Sequence, residues 1–306
     1  MILCCGEALI DLLPRISTEG EPCFAPYAGG SVYNTAMALG RLGAPTGFFT
    51  GLSTDMLGQM LEETLIKSNV DTSFCARSGR PTTVAFVKLV DGQATYAFYD
   101  ENTAGRLLAT SDFPKLPDDL EAMFFGGISL VNDPAGATYE ALQAREAAAR
   151  VNMMDPNIRP GFVRDEPGFR ARMHRMMARA DIVKLSDEDL FWLMGAGDLV
   201  ALARKIIATG PKIVFLTEGA KGARAVTATQ DRFVAAQKVV FVDGVGAGDT
   251  FNAGALASLR RDGMLTKAAL AGISDAALDA ALSLGGRAAA INVSRAGANP
   301  PWAHEL

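Results

Sequence analysis

VVFVDGVGAGDTFNAGAL, residues 239–256, is the stretch of sequence from which the fold and its chemistry are best predicted. It begins with four apolar residues, Val239–Val242, which predict a buried strand. A glycine-rich turn follows, and Asp249 comes where a helical segment begins. A strand, a glycine-rich turn and a helix in this order point several backbone N–H groups at one anion. The stretch therefore predicts an α/β fold with an anion site at the carboxyl edge of its sheet.

Phosphoryl transfer to a hydroxyl group is the chemistry that this stretch favours. The transfer needs donors that stabilise the charge of the moving group and a base near the nucleophile. We expect the N–H groups of Ala247, Gly248 and Asp249 to supply the donors and the Asp249 carboxylate to be the base. A lone Asp here would be an N-cap, but this one coincides with the anion site. The chain has neither a P-loop ending in Gly-Lys-Ser/Thr nor a G-x-G-x-x-G element in this stretch.

Apolar strand-like runs alternate with helical segments along the rest of the chain. The predicted strands include Thr46–Thr50, Ala122–Phe125, Val151–Met154, Asp181–Leu185 and Lys212–Thr217. The predicted helices are Ser31–Leu42, Asp55–Lys67, Ala135–Arg150, Phe169–Ala180, Ser186–Met194 and Leu199–Ala208. This alternation predicts parallel strands joined by right-handed crossovers, with helices on both faces of the sheet.

Two segments depart from this alternation. Residues 12–28 are non-helical and contain three prolines, and strand-like runs at Thr82–Val90 and Ala94–Tyr99 flank the turn Asp91-Gly92-Gln93, which predicts a β-hairpin. We interpret insertions at about 12–28 and 73–104 as a small β-lid over the carboxyl edge of a single domain, residues 1–306.

The composition is that of an ordinary globular protein. The net charge is −5 without a long basic run, so neither nucleic acid nor an anionic membrane surface is an expected partner. Cys4, Cys5, Cys23 and Cys75 form no C-x-x-C pair, which favours free thiols in a reducing compartment. We expect no signal peptide, no membrane span and a cytoplasmic location. The two histidines are expected at the surface, which argues against a histidine-based site.

A second glycine-rich helix start lies near the N-terminus, in the sequence Ala28-Gly29-Gly30-Ser31-Val32-Tyr33-Asn34. Asn34 is expected on the first helical turn, and Asp11 is expected to end the first strand at the same sheet edge. Carboxylate and amide groups beside glycine backbone suit a neutral sugar, whose hydroxyls both donate and accept hydrogen bonds.

These two segments together resemble the signatures of the ribokinase-like (PfkB) carbohydrate kinase family, and the similarity covers essentially the whole chain. The resemblance implies an ATP-dependent kinase with a parallel sheet between helices and a β-lid over the sugar. It implies that Asp249 is the base and that Gly246, Ala247 and Gly248 form the anion hole. It also implies that the sugar is held by Asp11, Gly29, Gly30 and Asn34.

The same resemblance implies positions for the nucleotide and for ions. The nucleotide would be bordered by Ser186, Thr217, Gly219, Gly222, Gly246, Gly248 and Asn292. The family's Asn-x-x-Glu element, linked to Mg²⁺, is replaced here by Ser186-Asp187-Glu188-Asp189, so that Asp189 is the expected magnesium residue. A capped helix start explains this acidic cluster almost as well. Potassium would lie beside Asp243, Val245 and Gly297.

Finer segments are similar to bacterial fructokinases, among them residues 98–106, 126–130, 155–160 and 292–301. Phe98, Asn102 and Arg159 are therefore further expected sugar contacts, although Arg159 could equally orient nucleotide phosphates. Asp100 in the lid would repel a sugar acid, which favours fructose over 2-keto-3-deoxygluconate. Ribokinase or nucleoside kinase activity stays an alternative, as does a catalytically idle sugar-binding regulator. A homodimer is compatible with the resemblance.

Overall fold

The structure is a computed structural model that describes residues 1–90 and 93–306. Its strands are β1 (Ile2–Cys5), β2 (Leu9–Ile16), β3 (Pro22–Gly29), β4 (Thr46–Phe49), β5 (Gly51–Ser53), β6 (Val70–Asp71), β7 (Ala76–Ser78), β8 (Val84–Val90), β9 (Gln93–Tyr99), β10 (Ala122–Gly126), β11 (Val151–Asp155), β12 (Ile182–Ser186), β13 (Ile213–Thr217), β14 (Gly222–Val226) and β15 (Asp231–Ala235). Its α-helices are α1 (Ser31–Arg41), α2 (Met56–Lys67), α3 (Ala135–Glu146), α4 (Glu166–Arg179), α5 (Asp187–Met194), α6 (Leu199–Ile207), α7 (Ala247–Arg261), α8 (Lys267–Ala271) and α9 (Asp275–Val293). The strands and helices predicted between residues 31 and 217 agree with these bounds to within a few residues.

The main sheet has the strand order β15-β14-β13-β12-β11-β10-β1-β4-β6. From β6 to β13 neighbouring strands are parallel, as the alternation predicts, whereas β14 and β15 are antiparallel. The chain passes from β13 to β14 through a short 3-10 turn at Gly219–Lys221. A connection this short cannot return to the start of the sheet as a parallel crossover requires, so the next strand runs antiparallel.

Helices cover both faces of this sheet, and the core is divided between the two faces. Alternate residues of β1 show the division, because Ile2 and Cys4 belong to one buried cluster and Leu3 and Cys5 belong to the other. Residues of α1, α7 and α9 pack in the first cluster, and residues of α3, α4 and α6 pack in the second. The predicted fold class, a parallel α/β sheet between helices, is confirmed.

A second sheet of four strands, in the order β3-β2-β8-β9, is formed by the segments that broke the alternation. β2 pairs antiparallel with β3 and parallel with β8, and β8 pairs antiparallel with β9. The predicted hairpin is therefore present, although its turn at 91–92 lies outside the described residues. Asp11 was expected to end the first strand, which is wrong: residues 6–8 leave the main sheet, and Asp11 lies within β2.

The prediction of a buried strand at Val239–Val242 is also wrong. These four residues are not in a sheet, and their side chains are between 42% and 82% exposed. The N–H groups of Val242 and Asp243 instead donate to the carbonyl of Val293, at 2.8 and 3.2 Å. The segment therefore lies over the end of α9. The Val293 carbonyl is at the helix terminus and lacks a helical partner, so it accepts hydrogen bonds that a neighbouring strand would otherwise have accepted.

Candidate active site

The N-terminus of α7 carries the expected anion site. Its N-cap, Gly246, has a φ of 76°, a left-handed conformation that glycine adopts without strain. The first hydrogen bond of the helix runs from the N–H of Thr250 to the carbonyl of Gly246, at 2.8 Å. The N–H groups of Gly248 and Asp249 therefore have no acceptor within the helix. That of Ala247 points back to the Gly244 carbonyl at 3.3 Å, so two of the three predicted donors have no partner within the described part of the chain.

Asp249 is buried and held by two side chains from the start of α1. Ser31 Oγ donates to Asp249 Oδ1 at 2.7 Å, and Asn34 Nδ2 donates to Asp249 Oδ2 at 2.9 Å. Thr35 Oγ1 also donates to the backbone carbonyl of Asp249, at 3.3 Å. The two glycine-rich helix starts predicted from the sequence therefore lie against each other, and the first fixes the orientation of the carboxylate on the second.

Burial raises the pKa of Asp249 from its ordinary value of 3.8 to about 6, although the hydrogen bonds from Asn34 and Ser31 lower it in part. A carboxylate with this pKa is ionised at neutral pH and binds a proton more strongly than an exposed aspartate. Both properties suit a general base.

A cavity of about 500 Å³ opens above Asp249. Its walls contain the predicted residues Asp11, Gly30, Asn34, Phe98, Arg159, Asp243, Val245, Gly246, Ala247, Gly248 and Asp249. Burial raises the pKa of Asp11 to about 6. Gly29 lies behind Asp11, and a Cβ there would be 2.5 Å from Asp11 Oδ2, so that glycine makes room for this carboxylate. The Asn34 Oδ1 atom is buried without a partner among the described residues, which leaves it free to accept a ligand hydroxyl.

A second cavity of about 430 Å³ adjoins the first, and Asn157, Arg159 and Gly248 line both. Ser186 and Thr217, the last residues of neighbouring strands β12 and β13, line the second cavity together with Asp189. The cleft therefore runs along the carboxyl edge of the main sheet, where ligands of open α/β sheets bind.

Lys184 is a residue of this second cavity that the sequence analysis missed. Its ammonium group is buried, lies 3.0 Å from Asp155 Oδ2, and is 3.0 Å from where a Cβ of Gly248 would be. Burial alone would lower the pKa of Lys184, but the carboxylates of Asp155, Asp189 and Asp249 raise it. Asn252 also donates to Asp155 Oδ2, at 2.7 Å. Lys184 could have been identified from the sequence, because it is a lysine among the apolar residues of a buried strand.

Glu7 is the other missed residue. Its carboxylate is buried in the wall of the larger cavity and accepts hydrogen bonds from the N–H groups of Ser31 and Val32, at 2.7 and 3.4 Å, and of Ser129, at 3.2 Å. No sequence pattern indicated this, because the three donors come from segments far away in the chain.

The acidic cluster after β12 forms a complete capping box. Ser186 Oγ accepts the N–H of Asp189 at 3.0 Å, and Asp189 Oδ2 accepts the N–H of Ser186 at 3.4 Å. Asp189 Oδ1 accepts the N–H of Ile158 at 3.0 Å. Both carboxylate oxygens of Asp189 are therefore used by backbone donors. Glu188 lines the second cavity beside them.

The three residues predicted to surround potassium are joined by one carboxylate. Asp243 Oδ1 accepts the N–H of Val245 at 3.0 Å, and Asp243 Oδ2 accepts the N–H of Gly297 at 2.8 Å. Asn292 links the same loops, because its amide donates to the Val245 carbonyl at 2.8 Å and accepts the N–H of Asn299 at 2.9 Å. Asn292 is buried, lines neither cavity and supports these loops, and its expected place beside the nucleotide stays a prediction.

Three other predicted contacts line neither of the two large cavities. Asn102 is exposed in a turn after β9, where its φ of 59° explains an asparagine. Gly219 lies in the 3-10 turn after β13. Gly222 lies so close to the Val234 carbonyl that a side chain there would prevent β14 from pairing with β15.

Asp100 has a partner that changes the argument about specificity. Its carboxylate forms an ion pair of 2.6 Å with Arg106 and accepts a hydrogen bond from Asn132. The charge expected to repel a sugar acid is therefore compensated by an arginine. Asp100 does not line the larger cavity, although both residues line a small neighbouring one of about 40 Å³. Asp100 alone thus does not decide between a neutral and an acidic sugar.

Comparison with known proteins identifies the family of this chain. Residues 1–305 match the family described as pfkB family carbohydrate kinase. The chain is 59% identical over 278 residues to a fructokinase of Rhizobium leguminosarum bv. trifolii, which covers 91% of this chain and 85% of that protein. The family resemblance is confirmed: the chain belongs to the pfkB family of carbohydrate kinases.

Solved structures show the same likeness. A fructokinase with bound ATP from Xylella fastidiosa is 28% identical, with a TM-score of 0.87 over 97% of this chain and 93% of that one. A double mutant of a fructokinase from Vibrio cholerae O395, in a form with bound fructose, ADP and potassium ion, is 25% identical, with a TM-score of 0.83 over 97% and 93%. Within the described residues, none of the helices combines the length and apolar character needed to cross a membrane.

Proposed function

We propose that this protein is an ATP-dependent fructokinase that phosphorylates the 6-hydroxyl of fructose, with Asp249 as the general base. One observation carries the proposal: the buried Asp249 carboxylate lies in the wall of the larger cavity, immediately beside Gly248, which lines both cavities. A sugar in the larger cavity and a nucleotide in the adjoining one would thus meet at this carboxylate and the free N–H groups of α7.

Asp249 takes the proton of the sugar hydroxyl as the hydroxyl oxygen attacks the γ-phosphorus of ATP. A new O–P bond forms, and the bond between the γ-phosphorus and the oxygen that bridges to the β-phosphate breaks. The products are the sugar phosphate and ADP, and the proton on Asp249 then passes to solvent. Ser31 and Asn34 hold the carboxylate for this step, since they donate to its two oxygens.

The charge of the moving phosphoryl group is stabilised by fixed donors. The N–H groups of Gly248 and Asp249 lie at the positive end of the α7 dipole. The ammonium group of Lys184 lies directly beneath Gly248 and adds a full positive charge. Arg159 lines both cavities, which favours a role beside the transferred phosphate over a contact with the sugar alone.

The sugar hydroxyls are bound by Asp11 and Asn34. The Asp11 carboxylate and the unpartnered Asn34 Oδ1 both accept hydrogen bonds, which suits the hydroxyls of a neutral sugar. Phe98 closes the cavity against Phe162, with ring centroids 4.9 Å apart.

The side chains of the second cavity fit a nucleotide with Mg²⁺. The described residues contain no cluster of three or more metal-binding side chains. Magnesium keeps several waters and is bound through phosphate oxygens and one or two carboxylates. Glu188 and Asp189 would hold it through those waters, and the ion would neutralise phosphate charge. Potassium would bind to carbonyl groups of the loops that Asp243 joins.

Fructose is favoured over other acceptors by the relatives, because similar curated proteins include fructokinases of Rhizobium leguminosarum and Klebsiella pneumoniae. 2-Keto-3-deoxygluconate is the closest competitor, since Arg106 compensates the charge of Asp100 and that residue no longer argues against it.

The test is a coupled assay of ADP release with Mg·ATP and fructose, 2-keto-3-deoxygluconate, ribose, glucose or adenosine. The proposal expects the highest kcat/KM with fructose and a product phosphorylated at the 6-position in its ³¹P NMR spectrum. Highest activity with the keto acid would keep the mechanism and overturn the substrate. Activity with none of the sugars would favour the catalytically idle regulator.

Three further statements stay predictions. The first is a single domain with β-lid insertions at about 12–28 and 73–104. The second is a homodimer, for which the exposed edge strand β3 offers an unpaired edge. The third is a cytoplasmic location.

A further inference from the structure

Glu7 lies among backbone N–H donors in the wall of the larger cavity, and it also lines the small neighbouring cavity. It accepts the N–H groups of Ser31 and Val32 from the first turn of α1 and that of Ser129 from the 3-10 turn after β10. The N-cap of α1 is Gly30, which has no side chain to cap the helix. Glu7 therefore does from 24 residues away what an N-cap side chain does locally.

The surrounding backbone leaves room for this carboxylate and for nothing larger. Gly127 has a φ of 66°, and a Cβ at that position would overlap both carboxylate oxygens of Glu7. A Cβ at Gly30 would lie 2.9 Å from the Glu7 carbonyl. Because three N–H donors face the Glu7 side chain, the surrounding backbone favours its ionised form, which only accepts hydrogen bonds.

Only one residue lies between Glu7 and the base. The backbone N–H of Ser31 donates to Glu7, and the hydroxyl of the same residue donates to Asp249 at 2.7 Å. A shift of Ser31 therefore moves the group that orients the base, and small errors in such an orientation have large effects on rate.

We propose that Glu7 is a positioning residue for phosphoryl transfer, whose ionised carboxylate fixes Ser31 and thereby Asp249, so that protonation of Glu7 lowers turnover. This rests on the proposed function. A protonated carboxyl group has lost its charge, and its hydroxyl oxygen accepts more weakly, so at least one of the three N–H hydrogen bonds weakens.

Burial raises the pKa of Glu7 to about 7, although the hydrogen bonds from the backbone of Ser129 and Val32 lower it in part. Asp11, Arg159, Asp243 and Asp249 line the same cavity, and Asp100 and Arg106 line the small one that Glu7 also borders. Tyr139 on α3 is a further titratable group close to Glu7. Among the described residues no cation lies within 4.0 Å of Glu7 to oppose the effect of burial.

The experiment compares the pH dependence of kcat/KM for the sugar in the wild-type enzyme, Glu7→Gln and Glu7→Asp, with Mg·ATP in excess. On the acid side, we expect log(kcat/KM) of the wild type to fall with a slope one unit steeper than that of Glu7→Gln, because one more proton must be lost for activity. Protonation of ATP, Asp11 and Asp249 is common to both and does not create this difference. Turnover of Glu7→Gln should fall about 10-fold or more, since mispositioned groups cost up to ~10²-fold, and Glu7→Asp should recover part of it.

Glu63→Gln on α2, an exposed glutamate remote from the cavity, is the matched control and should keep the wild-type profile. Equal slopes in the wild type and Glu7→Gln would overturn the inference while leaving the proposed function intact. An inactive wild type would overturn the proposed function instead.

A second measurement does not depend on activity or on a mutant that folds. In the wild-type protein the amide ¹H and ¹⁵N shifts of Ser31, Val32 and Ser129 should move together with one midpoint near 7, the pKa of Glu7. Amide shifts that do not titrate, or that titrate separately, would contradict the inference.

Discussion

Ser31 Oγ and Asp249 Oδ1 are 218 residues apart in the chain and 2.7 Å apart in the structure. This hydrogen bond joins the first residue of α1 to the third residue of α7, the two helices whose glycine-rich starts were recognised in the sequence. The proposed sugar-binding side of the cleft and the proposed base are therefore joined directly, and neither helix start forms the candidate site alone.

Lys184→Met should abolish most of the turnover and also destabilise the fold. The ammonium group is buried with Asp155, and removal of one partner of a buried pair typically costs about 3–5 kcal/mol. The double variant Lys184→Met/Asp155→Asn should recover much of the stability and none of the turnover, because the phosphate donor is still missing. Urea unfolding and kcat with fructose measure the two effects.

Lys267→Met is the matched control for that experiment. Lys267 forms an ion pair with Asp181 at 2.7 Å, and neither residue lines either cavity. This variant should lose stability but keep its kcat. If the double variant at positions 155 and 184 regained turnover, Lys184 would have a structural role only.

Asp249→Asn should stabilise the protein at neutral pH. The folded-state pKa of Asp249 is raised from 3.8 to about 6, so between these pH values the unfolded state loses its proton while the folded state keeps it. Stability therefore falls as pH rises through this window, by roughly 3 kcal/mol at most. The variant has no such titration, and its Tm should exceed that of the wild type at pH 7 but not at pH 3.5. Thermal unfolding at several pH values measures this, and a Tm difference that is independent of pH would contradict it.

Phe98→Ala should weaken sugar binding and loosen the cover of the cavity. Phe98 on β9 contacts Phe162 on the main body, and such aromatic pairs contribute about 0.5–1.5 kcal/mol. The KM for fructose should rise roughly 2- to 12-fold, and ATP hydrolysis without sugar should increase relative to phosphorylation, because water enters a cavity that is less well closed. Phe24→Ala, in the exposed aromatic pair with Phe86, should change neither.

The parts of the site that could be predicted from the sequence depend on the type of a residue and on its position at the start of a helix. Asp249 after three alternating glycines, and Asn34 after a Gly-Gly pair, both stand on the first turn or so of a helix that starts at the sheet edge. The hydrophobic alternation likewise located the strands from β10 to β13, because each buried strand is an apolar run.

The parts that could not be predicted depend on which distant segment supplies a partner. Val239–Val242 has the composition of a buried strand, yet the end of α9 takes its hydrogen bonds. The backbone donors to Glu7 lie on α1 and after β10, so their contact with this carboxylate was not evident from neighbouring residues in the sequence. Lys184 is the exception, since a charged residue inside an apolar strand could have been noticed.

The most direct test of the central claim is single-turnover phosphorylation of fructose by Asp249→Asn, with binding of fructose and ATP measured separately by calorimetry. Asp262→Asn, at the other end of α7, is the matched control and should behave as the wild type. If Asp249 is the base, both ligands should bind with near wild-type affinity, while the rate of phosphoryl transfer falls by ~10²–10⁴-fold. A rate within a few-fold of the wild type would contradict the mechanism.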